Sequence, residues 1–414
     1  MNINFTKRNN CRLCQSTSIK PILKLKSTPP ANNFVSKELL NESQELFPLK
    51  LYFCEKCAHV QLPYVVDPHC LFDEYVYVSG TSPVFVNHFK DYANSVIENY
   101  QPDKNNLIID IGSNDGTLLS FFKEKGYSVL GVDPAIQISK EANKKGIKTI
   151  NSFFNYKLAR KITEIYPKAS IVAANNVFAH ADDLYEITKG IKEVLSDDGV
   201  FIFEVSYLVD VYQKTLFDTI YHEHLAYHSV KPLQNFFKLN GMELIDAKRI
   251  KTHGGSIRGV AQLKNGPHKI NKNVDNQILM EESLGLDNIE TFQNFSSKIE
   301  NIKYELQSIL KELKSQNKKI AGFGAPAKAT TLMYEFELNN EIIDFIIDDN
   351  PLKQNTFTPG LHIPVLDSTY LEKMKPDYLL ILAWNFADSI IDKNKNFLEQ
   401  GGHFIVPLPE VNVI

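Results

Sequence analysis

A glycine turn between an apolar run and a helical pattern constrains the fold of this chain more than any other stretch. Residues 107–111, LIIDI, fit a strand that is buried on both faces. Gly112 and Gly116 punctuate the turn that follows, and residues 117–123 return to helical spacing. A strand, a turn and a helix in this order present free backbone N–H groups at a helix N-terminus, where they favour an anion. The sequence therefore predicts a βαβ unit with a ligand site at its first turn.

The spacing of this turn indicates the class of ligand. Asp110, Gly112 and Gly116 form D-x-G-x-x-x-G, which lacks the G-x-G-x-x-G of a dinucleotide site. Asp133 closes a second apolar run and is well placed to accept hydrogen bonds from ribose hydroxyls. These features favour S-adenosylmethionine (SAM) over NAD, with Asn114 of the turn in the same predicted site. The alternative is an ordinary βαβ turn that binds no ligand.

The alternation of strands and helices that begins at this turn predicts an α/β domain with a parallel, doubly wound sheet. Strands are expected at 107–111, 128–132, 170–175 and 200–205. Open α/β sheets bind ligands beyond the carboxyl ends of their strands. The side chains expected at that edge are all hydrogen-bonding ones: Asp110, Asp133, Asn175, Asn176 and Glu204.

The compartment in which the chain is expected to reside decides whether its cysteines form disulfides or bind metal. No apolar run reaches the roughly 20 residues that cross a bilayer. The N-terminus lacks the apolar core of a secretory signal, so a cytoplasmic protein, in which disulfides are rare, is predicted. Cys11 and Cys14 form one C-x-x-C and Cys54 and Cys57 another, a set that closes a tetrahedral, structural Zn²⁺ site. Cys70 is left over and is expected to be a small buried hydrophobe.

The densest cluster of reactive side chains is the stretch IYHEHLAYH at 220–228, which includes Tyr221, Glu223 and His224. A metal site is disfavoured, since H-E-H lacks the i, i+4 pair with which a helix presents two imidazoles to one ion. Acid–base chemistry fits better, because a His takes a proton near neutral pH, a Glu orients it and a Tyr hydroxyl stabilises an oxyanion. The alternative is a polar helix end with solvated side chains. His180 is a second candidate base, for which helix capping or packing is the alternative.

A second glycine turn, KKIAGFGAPAKA at 318–329, predicts a separate, smaller α/β domain. Its two glycines are weak evidence for a dinucleotide, but a helix N-terminus together with Lys328 is compatible with a bound diphosphate. Residues 271–316 are typical of a charged, largely helical connector. Before the connector, Ser256 and Arg258 follow a Gly-Gly turn that either wraps an oxyanion or makes a hairpin.

Two tyrosines lie between the cysteines and the first glycine turn. Tyr75 and Tyr77 alternate with valines, so both rings point to one face of a short extended segment. Ser79 belongs to the polar turn that follows. These side chains are candidates for lining a substrate site, and ordinary packing is the alternative.

Taken together, these motifs resemble the nucleoside-diphosphate-sugar C-methyltransferases, and the similarity runs from end to end. The paired C-x-x-C, DIGSNDG at 110–116, YHEH at 221–224, GGSIRG at 254–259 and GFGAPAK at 322–328 all match motifs of that family. The resemblance implies three parts: a zinc-binding module at 1–80, a Rossmann-like SAM domain at 81–250 and a smaller Rossmann-like domain at 251–414.

The resemblance also implies roles for individual residues. His224 is implied to be the base that removes the proton beside a ketone, assisted by Glu223 and Tyr221. A tyrosine of the Y-x-Y-x-S segment is implied to lie near the sugar, with Ser79, Ser256 and Arg258 among the substrate-binding candidates. The C-terminal domain is implied to hold the nucleotide sugar, which makes Lys328 a candidate for the diphosphate.

The reaction that follows from these roles is SAM-dependent methylation of C3 in a 4-keto nucleoside-diphosphate deoxysugar. Carbon becomes a nucleophile only when a neighbouring carbonyl lets it lose a proton as an enolate, which requires a base and a stabilised oxyanion. Two alternatives remain: methylation of an oxygen or nitrogen, and a protein that binds SAM and nucleotide without catalysis. A nucleic-acid partner is disfavoured by the net charge of −4 and the lack of a basic stripe.

Overall fold

The computed structural model describes residues 5–73, 78, 80 and 83–414, arranged in the three expected parts. Buried side chains of the N-terminal sheet, the central sheet and the C-terminal sheet belong to one continuous hydrophobic cluster. The parts therefore share a core instead of meeting only at their surfaces. Among the described residues, no helix combines the length and the apolar character needed to cross a membrane.

The N-terminal part is an antiparallel sheet between two cysteine-bearing turns. Its longest paired strands alternate buried and partly exposed residues, as a sheet with one packed face requires. One edge strand of this sheet is Ala226–Tyr227, which comes from the central part of the chain. The elements of this part are β1 Phe5–Lys7, β2 Ile19–Thr28, a 3₁₀ turn at Lys37–Leu39, β3 Phe47–Cys54, β4 Val60–Gln61, β5 Tyr64–Val66 and α1 Pro68–Phe72.

The central part is a doubly wound sheet, as the strand–helix alternation predicts. The fully buried strand Leu107–Ile111 lies between Ser128–Asp133 and Ala169–Asn175, and all three run parallel. The elements are α2 Pro83–Tyr100, β6 Leu107–Ile111, α3 Thr117–Glu124, β7 Ser128–Asp133, α4 Ile136–Lys144, β8 Thr149–Asn151, α5 Tyr156–Ile165, β9 Ala169–Asn175, α6 Leu184–Val194, β10 Leu195–Ser206, α7 Leu208–Gln213, a 3₁₀ turn at Phe217–Thr219, β11 Ala226–Tyr227, α8 Val230–Leu239, β12 Met242–Ile250, a 3₁₀ turn at Thr252–Gly254 and β13 Ser256–Leu263.

The central sheet extends beyond residue 250, where the sequence places the boundary of the SAM domain. Strand β13 inserts between β10 and β12 and runs antiparallel to both, in the order β12-β13-β10-β9-β6-β7-β8. Its backbone groups therefore pair on both sides within this sheet. Arg258 and Ser256 thus belong to the central part and lie opposite Glu204 and Ser206 of β10.

Helices connect the central sheet to a second seven-stranded sheet at the C-terminus, whose strands are shorter. The long helix Ile289–Ser315 packs against β2 and against the helix that follows the second glycine turn, as expected of a connector with one apolar face. The elements are α9 Asn273–Ser283, α10 Ile289–Ser315, β14 Ile320–Phe323, α11 Ala327–Phe336, β15 Ile346–Ile347, β16 Thr356–Phe357, β17 Pro364–Leu366, α12 Tyr370–Met374, β18 Tyr378–Ile381, a 3₁₀ turn at Trp384–Phe386, α13 Ala387–Lys393, α14 Lys395–Glu399, β19 His403–Val406 and β20 Asn412–Val413.

Candidate active site

The cysteines of the two C-x-x-C turns converge on one point. Their four Sγ atoms lie within 4.8 Å of one another, with 3.6 Å between Cys11 and Cys57 and 3.5 Å between Cys14 and Cys54. Four thiolates bound at about 2.3 Å to a tetrahedral Zn²⁺ stand about 3.8 Å apart. The cluster therefore fits Zn²⁺, which these four residues would hold without an open position for substrate.

Two nearby residues remain outside this cluster. The prediction that Cys70 is a small buried hydrophobe is wrong, because Cys70 is exposed on the short helix α1. His59 is fully buried, and its ring stacks on that of His228 at 5.5 Å between centroids. Neither joins the ligand set, which consists of cysteines alone.

The first glycine turn has the backbone conformation that its glycines predict. Gly112 and Gly116 have φ angles of +69° and +78°, a region that L side chains rarely adopt. A Cβ at Gly112 would lie 2.2 Å from a methyl carbon of Val177, so a larger residue does not fit there. Asn114 also has a positive φ of 50°, and its N–H donates to the Asp133 carboxylate at 2.8 Å. This bond ties the turn to the end of β7.

The sheet edge beside this turn offers buried polar atoms that still need partners. Within the described chain, Oδ1 of Asp110, Oγ of Ser113 and both amide atoms of Asn175 have no hydrogen-bond partner. Burial raises the pKa of Asp110 and also that of Asp133, although backbone N–H groups oppose the second shift. Unpaired buried polar groups indicate a missing ligand or water. SAM brings an ammonium, a carboxylate and ribose hydroxyls, so this edge fits SAM, which these residues would hold.

Glu204 and Arg258 form a fixed ion pair at the same edge. The Arg258 guanidinium approaches Oε1 of Glu204 at 2.6 Å, and Nε2 of His88 lies 2.8 Å from Oε2. Burial would raise the pKa of Glu204, but the hydrogen bond to His88 and the charge of Arg258 hold that pKa below its usual value. Arg258 also lies over the ring of Tyr92, 4.3 Å from its centroid. The structure therefore gives Arg258 a partner within the chain, while the backbone N–H of Asn176 donates to the Glu204 carbonyl.

Ser256 lies near this edge but is engaged locally. Its hydroxyl donates to the Thr252 carbonyl at 3.0 Å, which closes the Gly-Gly turn. The predicted residues Tyr75, Tyr77 and Ser79 lie outside the described residues. Their proposed contact with substrate stays a prediction.

The YHEH segment is a turn between the 3₁₀ turn Phe217–Thr219 and β11, not a helix end. Nδ1 of His224 lies 2.8 Å from the Thr219 carbonyl, which accepts its proton. That bond selects the tautomer in which Nε2 carries the basic lone pair. The His224 ring lies 4.1 Å from the ring of Tyr221 and 4.9 Å from that of His180, between centroids. His180 lies in the loop that leaves the end of β9, so the candidate base contacts the loop that follows one strand of the sheet edge that fits SAM.

Glu223 faces the other two parts of the chain. Its Oε1 accepts a hydrogen bond from Nδ2 of Asn32 at 2.9 Å. Burial lowers the pKa of Lys353, and the negative charges of Asp348 and then of Glu223 oppose that shift. Nζ of Lys353 donates to the Ala325 carbonyl in the second glycine turn at 2.7 Å. Sequence reasoning missed Asn32 and Lys353, since no motif marks either of them.

His222, between these two residues, points away from them. It is buried in the N-terminal part, where its ring meets that of Phe47 edge-on at 5.7 Å. Burial lowers the pKa of His222 to about 4, and it does the same to His228, which stacks on Phe178. Both histidines are therefore neutral packing residues at neutral pH.

A buried arginine of the first zinc turn holds the end of the YHEH segment. Arg12 is fully buried and donates from Nη1 to the carbonyls of Leu62 and Leu225, the latter at 3.2 Å. Its Nε lies 3.1 Å from Asp182, two residues after His180. The zinc module thus contacts the segments that carry both rings of the candidate site. Arg12 lies between the cysteines of the first C-x-x-C, yet nothing in the sequence indicates this contact.

Lys328 lies at the start of α11, where the sequence predicts a diphosphate site. Its Nζ lies 3.3 Å from Oδ2 of the buried Asp218 and 4.1 Å from the ring centroid of Trp384. Burial lowers the pKa of Lys328, and Asp218 opposes that shift. The structure therefore pairs Lys328 with a carboxylate of the central part.

Family models match all three parts of the chain. A model described as "zinc binding domain" matches residues 11–72, one described as "methyltransferase domain" matches 87–247, and one described as "C-methyltransferase C-terminal domain" matches 251–409. The C-methyltransferase NovU of Streptomyces niveus is 33% identical over 406 residues, which is 98% of this chain and 97% of NovU.

Two solved structures with a detectable likeness each cover less than half of the chain. A SAM-dependent methyltransferase from Clostridium acetobutylicum is 15% identical with a TM-score of 0.36, over 44% of this chain and 92% of its own. A protein from Pyrococcus horikoshii is 14% identical with a TM-score of 0.38, over 48% and 98%. Both scores are low, and the family models, not these likenesses, identify the domains.

Proposed function

The chain belongs to the family of C-methyltransferases, SAM-dependent enzymes with an N-terminal zinc-binding domain, and on that premise we propose that it methylates C3 of a 4-keto nucleoside-diphosphate deoxysugar. The observation that carries this proposal is the placement of His224. Its ring is oriented by a backbone carbonyl and contacts His180 in the loop that leaves the sheet edge that fits SAM. A base at this position suits methylation of carbon, because that carbon must first lose a proton to form an enolate. Oxygen and nitrogen nucleophiles need no enolate.

His224 removes the hydrogen from the carbon next to the ketone in this proposal. The hydrogen bond from Nδ1 to the Thr219 carbonyl fixes the ring, so Nε2 accepts the proton. The same carbonyl stabilises the positive charge that develops on the imidazole. Tyr221 stacks against the same ring and offers its hydroxyl to the enolate oxygen. Glu223, positioned by Asn32, supplies negative charge near the imidazolium that forms.

The remaining groups bind the reactants and exclude water. When bound, SAM supplies an electrophilic methyl group to the carbon that has lost its proton. Asp110, Asp133 and Asn175 would hold it at the sheet edge. The buried ion pair of Glu204 and Arg258 fixes two neighbouring side chains of the same sheet. The proposed role of Zn²⁺ is structural, since four cysteines would leave it no open coordination position.

The nucleotide-sugar substrate is proposed from the family resemblance and the C-terminal domain. The C-terminal domain has a glycine turn, and helix α11 after that turn contacts the Ile220 carbonyl just before the YHEH segment. Lys353 adds a cation at that turn, where its ammonium donates to the Ala325 carbonyl. Tyr75, Tyr77 and Ser79 are proposed to contact the sugar. A cation near a glycine turn is compatible with a diphosphate.

The test is incubation of the purified protein with SAM and a thymidine- or guanosine-diphosphate 4-keto-6-deoxysugar. We expect release of S-adenosylhomocysteine and a product whose NMR spectrum shows the new methyl group bound to carbon. A methyl group bound to oxygen or nitrogen would contradict the proposal, and so would the absence of turnover with either nucleotide. A His403→Ala variant, altered at an exposed residue of the C-terminal sheet that has no proposed role, serves as the control and should match the parent protein.

A further inference from the structure

A buried ion pair joins the C-terminal domain to the segment that precedes YHEH. Asp218 is fully buried, and its Oδ2 accepts a hydrogen bond from Nε1 of Trp384 at 2.6 Å while Nζ of Lys328 lies 3.3 Å away. The Lys328 ammonium also lies over the Trp384 indole. Removing a cation from water in this way is costly unless a carboxylate or an aromatic face compensates it, and here both do.

Asp218 lies next to the residue that orients the proposed base. It is the middle residue of the 3₁₀ turn Phe217–Thr219, and the Thr219 carbonyl accepts hydrogen bonds from His224 and from the hydroxyl of Tyr227. A carbonyl can orient an imidazole only if its own peptide is fixed. The 3₁₀ turn is therefore the support of His224.

The C-terminal domain contacts this 3₁₀ turn along the same helix that carries Lys328. The hydroxyl of Thr331 donates to the Ile220 carbonyl at 2.8 Å, and the rings of Phe217 and Phe336 lie 5.1 Å apart. These contacts follow helix α11 from its first turn to its last. The helix therefore acts as a rigid backing for the 3₁₀ turn.

The environment of Lys328 argues against a direct contact with a diphosphate. Its side chain is only 12% exposed, and the carboxylate of Asp218 already occupies the position of an anion beside it. A diphosphate brought to this ammonium would also approach Asp218, which repels it in a buried site of low dielectric. The charge of Lys328 is thus already neutralised within the chain.

We propose that Lys328 is a positioning residue that acts through Asp218 and Trp384 to fix the 3₁₀ turn whose Thr219 carbonyl orients His224. This inference rests on the proposed role of His224 as the base. It assigns to the C-terminal domain a share in proton abstraction, in addition to any part in holding the nucleotide sugar.

The test is the steady-state kinetics of Lys328→Met, which keeps the length of the side chain and removes its charge. A positioning role predicts that kcat falls by about tenfold or more while KM for the nucleotide sugar stays within about twofold, because the ground-state contacts of the substrate are unchanged. A diphosphate-binding role predicts the reverse, a raised KM with kcat retained, and that result would overturn the inference. Lys395→Met, an exposed lysine of the same domain, is the control and should leave both constants unchanged.

Two further variants keep the inference testable if Lys328→Met does not fold. Asp218→Asn with Lys328→Met removes both charges, so no buried carboxylate remains without a partner. Trp384→Phe removes the N–H that donates to Asp218 together with the five-membered ring of the indole, and keeps an aromatic face. Each should lower kcat at constant KM, the second by less than Lys328→Met, and parental kcat in both would overturn the inference. If the parent protein itself gives no turnover, the proposed function fails instead, so the two failures are distinguishable.

Discussion

The SAM edge of the central sheet and the YHEH segment hold their polar groups in different ways. At the sheet edge, Asp110, Asp133 and Asn175 lie at the ends of strands of one sheet, and the glycine turn after Asp110 is bonded to Asp133. The YHEH segment has no regular structure of its own. It is held by Arg12 of the zinc module on one side and by helix α11 of the C-terminal domain on the other. The proposed SAM site therefore lies within one part of the chain, whereas the proposed base is held by contacts from all three.

Loss of Zn²⁺ should have the largest effect and should act on only one of these two regions, so that turnover falls while SAM affinity is retained. Cys54→Ser removes one thiolate, so the two knuckles no longer close and Arg12 loses its support. We expect turnover to fall by more than about 100-fold while the Kd for SAM, measured by calorimetry, changes by less than about threefold. Metal content is measured alongside.

The matched control for this variant is Cys70→Ser, since Cys70 is exposed and outside the cluster. It should retain zinc, turnover and SAM affinity. A Cys54→Ser protein that lost zinc but kept turnover would contradict the idea that the zinc module supports the YHEH segment.

Arg12→Met tests the same support without disturbing the metal, and a smaller effect is expected. The carbonyls of Leu62 and Leu225 lose a buried donor, at a cost of about 1–3 kcal/mol, and the segment after His224 loosens. We predict that kcat falls by about tenfold and that SAM affinity is unchanged. Arg8→Met, which removes the other cation beside Asp182, should alter kcat by less than about twofold. Equal losses in the two variants would point to Asp182, not the Leu225 carbonyl, as the important contact.

The pH dependence of stability tests whether His222 is a packing residue, in contrast to the proposed catalytic role of His224. Of the effects on turnover expected in these variants, the one expected here is the smallest. Burial lowers the pKa of His222 to about 4, below the unfolded value near 6.5. The unfolded chain therefore binds more protons between pH 6.5 and 4, and this residue lowers the free energy of unfolding by up to about 3 kcal/mol over that range. We expect His222→Phe to flatten that decline in denaturant titrations and to leave kcat at pH 8 within about twofold. His228 contributes a similar decline, which should persist.

What the sequence predicts well is what local pattern determines. The apolar run at Leu107–Ile111 is a fully buried strand, Gly112 has the positive φ that its turn requires, and the four cysteines converge. These features depend on backbone conformation or on ligand spacing, which a few neighbouring residues fix.

What the sequence does not predict is the set of contacts between distant segments. Asn32 reaches Glu223 across 191 residues, and Arg12 reaches Leu225 across 213. Such contacts depend on the packing of whole domains, and asparagine or arginine in a loop carries no local signal of them. Lys328 is the instructive case, because the motif that contains it is compatible with a phosphate, while its nearest charge is Asp218.

The most direct test of this account is exchange of the carbon-bound hydrogen next to the ketone in deuterium oxide. The parent protein, incubated with the 4-keto nucleotide sugar and S-adenosylhomocysteine in place of SAM, should incorporate deuterium at that carbon. His224→Ala should lower the exchange rate by about 100-fold or more, with His403→Ala unchanged. Exchange and turnover at parental rates in His224→Ala would show that another group removes the proton.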